Sequence, residues 1–228
     1  AGTNYGRVTR CSVTGGTISA SGIVGGMIGN NGSYSFVEES YAVTTIEGTG
    51  TLGGLIGDNH NGQVNDCYAS GYISHQYLKS ALCGGLAGFS YNSLNRCYST
   101  TRVNGSDTLS GGLVGGNSKW ASSASGYFLA LSDEGGPDKG IGTPLSRCQM
   151  AQQSSFKGFD FVGTDADGAE DIWFMPPGGL PILAWQRIDV AGMVSIPDVT
   201  GKPLDEAKAI IAGSGLTVRR VHYGTHPV

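Results

Sequence analysis

The chain has 228 residues with a net charge of −4 at pH 7, and 39 of its residues are glycine. The glycines do not recur at every third position, which excludes a collagen-like chain. The acidic balance and the lack of a Lys/Arg cluster exclude the usual basic footprint of a nucleic-acid-binding surface, so no nucleic-acid partner is expected. No apolar run approaches the ~20 residues that cross a bilayer, so we also expect no membrane insertion.

Four glycine pairs divide the first half of the chain into repeats. The first glycines of these pairs are Gly25, Gly53, Gly84 and Gly111, so successive repeats are 28, 31 and 27 residues long. Each pair opens the pattern G-G-[L/M]-[I/V/A]-G, which is followed by a polar turn and a short alternating run. A period that tolerates a few inserted residues is typical of a solenoid, in which loops absorb the insertions.

The repeats predict strands. Their alternating runs are rich in β-branched and aromatic residues and are bounded by Gly, Asn, Asp and Ser. Before residue 140, no stretch shows the apolar spacing of a helix. We therefore predict a mainly β fold, with a right-handed parallel β-helix (β-solenoid) over residues 1–140 and one coil per repeat, stacked at ~4.8 Å. The paired glycines are expected at corners, where φ is positive or where coils approach too closely for a Cβ atom.

Equivalent residues of successive coils are expected to stack in ladders. The aligned residues are Tyr41, Tyr68, Tyr98 and Tyr127 in one ladder, and Cys11, Ser40, Cys67 and Cys97 in another. Neighbouring coils would bring Cys67 and Cys97 to a Cα distance that permits a disulfide, but the demanding geometry favours free, buried thiols. The cysteines do not have zinc-site spacing.

The chain enters this array in the middle of a coil. The segment "GTNYGRVTRCSV", from Gly2, matches "GDNHNGQVNDCYA", from Gly57, and the glycine-pair half of the first coil is missing. A coil edge of this kind is an unpaired sheet edge. We expect either a fragment of a longer array or an edge that another chain covers.

The repeats resemble the GLUG motif, which is named for its Gly-Leu-x-Gly core. That core stands here as "GGLIG", "GGLAG" and "GGLVG", with "GGMIG" as a variant. The resemblance covers residues 2–186. It implies a bacterial protein of adhesin-like or multidomain type that is extracellular or at the cell surface, and it carries no shared catalytic residues.

Residues 141–190 resemble the segment that usually closes such arrays. Its "FKGFDF" stretch is Phe156–Phe161, and its "LPILAW" ending is Leu180–Trp185. The resemblance implies a cap in which Phe161, Trp173 and Trp185 seal the end of the core, as the terminal units of a solenoid must.

Residues 191–228 resemble the opening of a PASTA domain, a small α+β unit. In bacterial surface kinases and cell-wall synthases such domains are associated with peptidoglycan, although many are only spacers. A helix is predicted independently of the resemblance, because Ala207, Ile210 and Ile211 have helical apolar spacing and Pro203 suits the first position. The sequence stops before the third strand that normally completes such a domain, so an incomplete unit is expected.

The stretch "GGLIGDN" contains glycines that could hold a phosphate. A phosphate loop needs a following helix, and a nucleotide loop also needs Lys-Ser/Thr. Here the glycines recur four times and lead into further strands, which favours corners. We predict that Asp58, Asn59 and His60 are turn residues.

The acidic stretch "TDADGAED" contains the only candidate metal site. Asp165, Asp167 and Asp171 could supply oxygen ligands for calcium. The bidentate glutamate of a calcium loop is missing, because Pro176 stands at the twelfth position. An acidic surface loop is therefore the favoured interpretation, and no other cofactor is expected.

A polysaccharide-cleaving site would need a pair of carboxylates on one face of the solenoid. Glu39 and Asp66 occupy the same slot in successive coils, but Arg10 and Arg96 hold that slot in the flanking coils. The pattern favours a solvated ladder of charges. No catalytic residues are predicted, and the chain is not expected to be an enzyme.

The sequence predicts a non-catalytic extracellular module that is structural or adhesive. Its role would be to form a rigid stalk or an adhesive surface. A second structural hypothesis is self-assembly into a filament, in which the N-terminal half-coil and the unfinished C-terminal unit complete one another between copies by strand addition. The alternative is carbohydrate binding or cleavage, with cell-wall or other glycans as partners. The aromatic residues that could stack on sugar rings are Tyr5, Tyr34, Tyr72, Tyr77, Tyr91 and Trp120, although Tyr72 is equally suited to fill a strand surface.

Overall fold

Parallel strands stacked coil on coil make up most of the chain. The computed structural model describes residues 2–75, 82–104, 109–119, 121, 123, 125–164, 170–187, 199 and 201–213. The chain divides into two compact units, Ala1–Gln186 and Arg187–Val228. The predicted mainly β fold is confirmed, because the first unit is a β-solenoid of about 4 turns.

Each of the first three coils contributes three strands. In chain order these strands are β1 (Thr3–Asn4), β2 (Arg7–Thr9), β3 (Ser12–Gly25), β4 (Ile28–Asn31), β5 (Phe36–Glu38), β6 (Tyr41–Gly53), β7 (Ile56–Asn59), β8 (Gln63–Asn65) and β9 (Tyr68–His75). The next two coils are broken into shorter strands. They are β10 (Cys83–Gly84), β11 (Ala87–Ser90), β12 (Leu94–Asn95), β13 (Cys97–Ser99), β14 (Arg102–Asn104), β15 (Ser110–Gly111), β16 (Val114–Asn117) and β17 (Gly126–Leu129).

The strands form three parallel sheets that run the length of the solenoid. The first sheet has the order β1-β4-β7-β11-β16, and the second has the order β2-β5-β8-β12. The third sheet contains β3, β6, β9, β13 and β17, with β10, β14 and β15 beside them, and it ends on β18 (Thr143–Leu145). The register joins Tyr41 to Tyr68, Tyr68 to Tyr98 and Tyr98 to Tyr127, so the predicted tyrosine ladder is confirmed.

The glycine pairs lie where the backbones of neighbouring coils are in close contact. A Cβ atom at Gly53 would overlap the carbonyl oxygen of Ile56, and one at Gly54 would overlap the carbonyl oxygen of Gly85. Neither glycine of this pair has a positive φ. Of the two expected reasons for these glycines, close approach is therefore the one that applies here.

After the last coil the chain folds back along the solenoid, in a segment that we call the flank segment (residues 146–186). Its elements are α1 (Arg147–Met150), two 3-10 helices (Gln153–Ser155 and Ala184–Gln186) and the antiparallel pair β19 (Trp173–Phe174) and β20 (Ile182–Leu183). A further 3-10 helix, Leu131–Asp133, precedes it.

The expectation that the aromatic residues of this segment seal the end of the core is wrong. Trp173 and Phe161 are buried against the outward-facing tyrosine ladder, and the Trp185 ring lies 5.8 Å from that of Tyr41. The interior core is a separate cluster, against which Ile141 packs. The physical reason is that the stacked tyrosine rings form an apolar strip on the outside of the solenoid, and the flank segment removes this strip from water.

The second unit contains α2 (Leu204–Gly213), which confirms the predicted helix. The Ala207 amide donates to the Pro203 carbonyl at 2.9 Å, and Lys202 pairs with Glu206 at 2.7 Å. The strands that the PASTA-like resemblance implies lie outside the described residues. In the described part of the chain, no helix has the length and hydrophobicity needed to cross a bilayer.

Candidate functional site

One corner of each of the first four coils combines a charged residue with a cysteine or serine. The charged residues Arg10, Glu39, Asp66 and Arg96 all have a left-handed backbone, with φ between 45° and 53°. The residue that follows each of them donates to the carbonyl oxygen two positions before it; Ser40 does so at 2.7 Å and Cys67 at 3.1 Å. This hydrogen bond helps to offset the cost of about 1–2 kcal/mol for a non-glycine residue in that conformation.

The charged residues of this corner pair between coils. Arg10 Nε lies 2.8 Å from Glu39 Oε2, and the Arg96 guanidinium contacts both oxygens of Asp66 at 2.8 and 2.7 Å. The predicted charge ladder is therefore confirmed. It is not solvated throughout, because the flank segment covers Asp66 and the Trp173 indole N–H donates to Asp66 Oδ1 at 3.0 Å.

A groove of about 520 Å³ runs beside this ladder, with Glu39 and Asp66 in its lining. Cleavage of a glycosidic bond needs one carboxyl group that gives a proton and another that attacks or activates water. Here each carboxylate accepts a hydrogen bond from an arginine, and the pKa of Arg96 is raised chiefly by its bond to Asp66. The arrangement therefore favours a structural role for both carboxylates.

The buried thiols of the same corner are free. Cys67 Sγ donates to the Asn65 carbonyl at 3.1 Å and Cys97 Sγ to the Asn95 carbonyl at 3.2 Å, and neither cysteine is in a disulfide. This confirms the favoured prediction. Burial raises the pKa of the Cys67 thiol well above its ordinary value, so it remains a protonated donor.

A second polar ladder lies inside the solenoid, and sequence reasoning missed it. Asn4 Nδ2 donates to Asn31 Oδ1 at 2.8 Å, Asn31 Nδ2 to Asn59 Oδ1 at 2.9 Å and Asn59 Nδ2 to Ser90 Oγ at 3.1 Å. Asn59 ends strand β7 with no exposed surface, so its assignment as a turn residue is wrong. The signal was present, because Asn31, Asn59, Ser90 and Asn117 each stand six residues after the first glycine of a pair.

Asp58, next to this ladder, also lies on strand β7, so its assignment as a turn residue is wrong too. Its Oδ1 atom is buried without a hydrogen-bond partner. Burial raises the pKa of this carboxyl group, against the opposing charge of His60. A raised pKa in the folded state means that the ionised form is disfavoured by folding.

Replacing Asp58 with asparagine is therefore expected to raise Tm by about 2 °C at neutral pH. The cost of the ionised aspartate is absent below its ordinary pKa of about 3.9 and complete above the raised pKa, so the gain should shrink towards zero as the pH falls. Thermal unfolding at a series of pH values checks this. The control is Glu47→Gln, which removes a charge from the outer face of β6; a gain from Asp58→Asn that persists at acid pH would contradict the argument.

The structure describes one of the three calcium candidates. Asp165 and Asp167 lie outside the described residues. Asp171 Oδ1 accepts a hydrogen bond from the Gly163 amide at 3.1 Å, which stabilises a turn. Within the described ranges, no three His, Cys, Asp or Glu side chains are grouped so that they could hold a metal ion.

The aromatic candidates for sugar stacking fall on two surfaces. Tyr5, Tyr34 and Tyr91 are 79%, 91% and 37% exposed. The Tyr91 ring packs 4.7 Å from that of His60. Tyr72 instead lies on the outer face of the third sheet. Tyr77 and Trp120 are outside the described residues.

Tyr72 borders a cleft that two adjoining cavities form on the outer face of the third sheet. Their volumes are about 280 and 300 Å³, and both are lined by Arg102 and Glu134. Arg102 stands beside Tyr72 in the register of β14 on β9, while Glu134 follows the 3-10 helix Leu131–Asp133. Arg147, at the start of α1, lines the other end.

No protein-family model and no curated protein matches this chain. The GLUG and PASTA-like resemblances accordingly stay predictions.

Proposed function

We propose that this chain is a non-catalytic structural or adhesive module that works outside the cell or on a bacterial cell surface. The extracellular location rests on the resemblance to GLUG repeats. The structural role is supported by the way the solenoid uses its polar side chains. Asparagines and ion pairs connect one coil to the next, and the Cys67 thiol also reaches the Val37 carbonyl of the preceding coil at 3.5 Å, which stiffens the stack along its axis.

We further propose that the module self-assembles, and strand β3 (Ser12–Gly25) is the observation that supports this most directly. Among the described residues, β3 pairs only with β6, so its other edge offers unpaired backbone groups. Its fourteen residues contain no charge and no proline, and most are exposed. Natural proteins usually protect such an edge with charges or proline, because it is a template for another strand.

The edge at the other end of the third sheet is different. Strand β18 carries Pro144 at its centre, and proline has no N–H group to donate to a further strand. The contrast supports β3 as the edge that would receive a further strand. The proposed occupant is a strand of a second copy, added head to tail so that copies continue into a filament.

Sedimentation velocity and negative-stain electron microscopy of the whole chain test this over a wide range of concentrations. We expect filaments from the natural chain and monomers from a Ser19→Lys, Ser21→Lys variant, since two ammonium groups on β3 oppose edge pairing. The control is Ser74→Lys, on the same outer face of β9, which is already paired on both sides.

Three outcomes are decisive for assembly through β3. A natural chain that stays monomeric at every concentration would contradict self-assembly. A closed dimer would contradict the filament, because it would show the edge pairing with itself. Filaments that survive the two lysines would show that assembly uses another surface.

Carbohydrate binding is a second candidate function. The specific observation in its favour is the strong exposure of Tyr5 and Tyr34, whose rings are free to stack on the apolar face of a sugar. Binding and assembly are compatible, because these rings lie outside β3. A repeated array of such rings would suit an adhesive surface.

A further inference from the structure

The cleft on the outer face of the third sheet is distinct from the Tyr5 and Tyr34 surface. Two adjoining cavities share Arg102 and Glu134, so the opening is continuous past these two side chains. Tyr72 and Asn104 line one end, and Arg147 lines the other. The floor consists of strands of adjacent coils, so the cleft crosses several coils.

The cleft brings two arginines together on a chain that is acidic overall. Its charged lining is Arg102, Arg147 and Glu134, a net charge of +1 from two positive groups and one negative, whereas the chain as a whole carries −4. Arg102 Nη1 lies 3.9 Å from Glu134 Oε1, and the two side chains are 60% and 70% exposed. An ion pair this long and exposed contributes little, so the guanidinium keeps its donors for a ligand.

The other lining groups suit a sugar. Tyr72 and the exposed Leu131 offer apolar surface to the C–H face of a sugar ring. Ser70 and Thr100 line the far cavity and carry hydroxyl groups for the polar edge of a ring. Asn104 Nδ2 donates to the Tyr72 hydroxyl at 3.1 Å, which helps to fix the Tyr72 ring.

We propose that this cleft binds an acidic oligosaccharide, with the carboxylate of a uronic acid or a similar acidic sugar held by Arg102. A planar guanidinium matches a carboxylate with two parallel hydrogen bonds, which gives both strength and geometry. Arg147 lies at the other end, where its guanidinium donates to the Asp133 carbonyl at 3.0 Å and its amide to the Asp133 carboxylate at 3.2 Å, so Arg102 is the guanidinium that remains available. The inference rests on the carbohydrate-binding candidate above and adds to it a separate site with its ligand class.

The first measurement compares each acidic sugar with its own neutral form. Oligomers of galacturonate, glucuronate, mannuronate and sialic acid are titrated into the whole chain by calorimetry, each beside its carboxyl methyl ester. We expect at least one acidic oligomer to bind and its ester to bind at least about tenfold more weakly. Added salt should weaken the binding of the acidic oligomer.

The second measurement assigns the site. Arg102→Gln keeps a polar side chain but removes the charge. It is expected to lower the affinity for the acidic oligomer about 10- to 100-fold. Arg102→Lys keeps the charge without the bidentate geometry, so its affinity should lie between those of the natural chain and Arg102→Gln. The control is Arg7→Gln, which removes an arginine of similar exposure, 58% against 60%, from another part of the solenoid.

Five results would overturn the inference. Four of them are equal binding of each acid and its ester, an equal loss of affinity in the Arg7→Gln control, no binding by any acidic oligomer, and equally tight binding of an oligoglutamate peptide. The fifth is binding of neutral sugars that is lost in Tyr5→Ala or Tyr34→Ala but unchanged in Arg102→Gln. That result would support carbohydrate binding at the Tyr5 and Tyr34 surface and exclude the cleft as the site.

Discussion

Replacement of Trp173 by alanine is expected to lower the free energy of unfolding by about 4 kcal/mol. The Trp173 side chain has no exposed surface, and its ring centroid lies 4.7 Å from that of Phe159 and 5.8 Å from that of Tyr98. Its indole N–H also donates to the buried Asp66. The variant therefore loses packing between the flank segment and the tyrosine ladder and removes a donor from a buried carboxylate. Chemical denaturation followed by circular dichroism measures the change.

The conservative variant Trp173→Phe separates the two contributions. It keeps most of the ring and loses the N–H, so a cost of about 1–2 kcal/mol is expected. Trp185→Ala is the matched control, because Trp185 belongs to the same segment but is only partly buried. Losses near zero at both Trp173 and Trp185 would contradict the argument, because they would show that the flank segment is not part of the cooperative unit.

The sequence could predict the solenoid because its signals repeat. Strand alternation recurs in every coil, and the glycine pairs mark the places where a Cβ atom would overlap a neighbouring backbone, as at Gly53 and Gly54. A strand or corner that is ambiguous in one coil can be assigned from the aligned residues of the neighbouring coils. The aligned tyrosines were placed correctly for the same reason, since a shared slot in the repeat means a shared position in the stack. Cys67 and Cys97 are buried as expected, whereas Cys11 is exposed.

The flank segment does not repeat, and there the prediction was wrong. Aromatic residues such as Trp173 indicate burial, but they do not indicate which surface they cover. The tyrosine ladder could have suggested that surface, because a row of outward-facing rings needs cover. The prediction that Asn59 is a turn residue was wrong for a different reason. An isolated asparagine is typical of a turn, and only its recurrence in successive coils indicates a ladder.

The cleft could not have been found from sequence. Arg102 lies on a strand and Glu134 follows a short 3-10 helix, and nothing in either neighbourhood indicates that they meet. They come together because the last coil lays the Leu131–Asp133 turn beside the outer face of the sheet. Ordinary surface charges become a site only through this placement.

A break in the asparagine ladder is expected to be nearly as costly as the loss of Trp173. Asn31 is fully buried; its Oδ1 accepts from Asn4 and from Ser35 Oγ, and its Nδ2 donates to Asn59. Asn31→Ala removes three hydrogen bonds, and its buried partners cannot bond to water instead. The free energy of unfolding is therefore expected to fall by about 3 kcal/mol. The matched control is Asn117→Ala, in the same slot but exposed, for which a loss below about 0.5 kcal/mol is expected.

The partners that remain behind should account for most of this loss, and a double variant tests that reasoning. In Asn31→Ala the amide oxygen of Asn59 loses its donor, whereas in Asn31→Ala, Asn59→Ala that oxygen is no longer present. The double variant is therefore expected to cost at least about 1 kcal/mol less than the sum of the two single variants. Additive losses from equilibrium denaturation would mean that each asparagine acts alone. Coupled losses would mean that the ladder acts as one continuous element, which a stiff stack of coils requires.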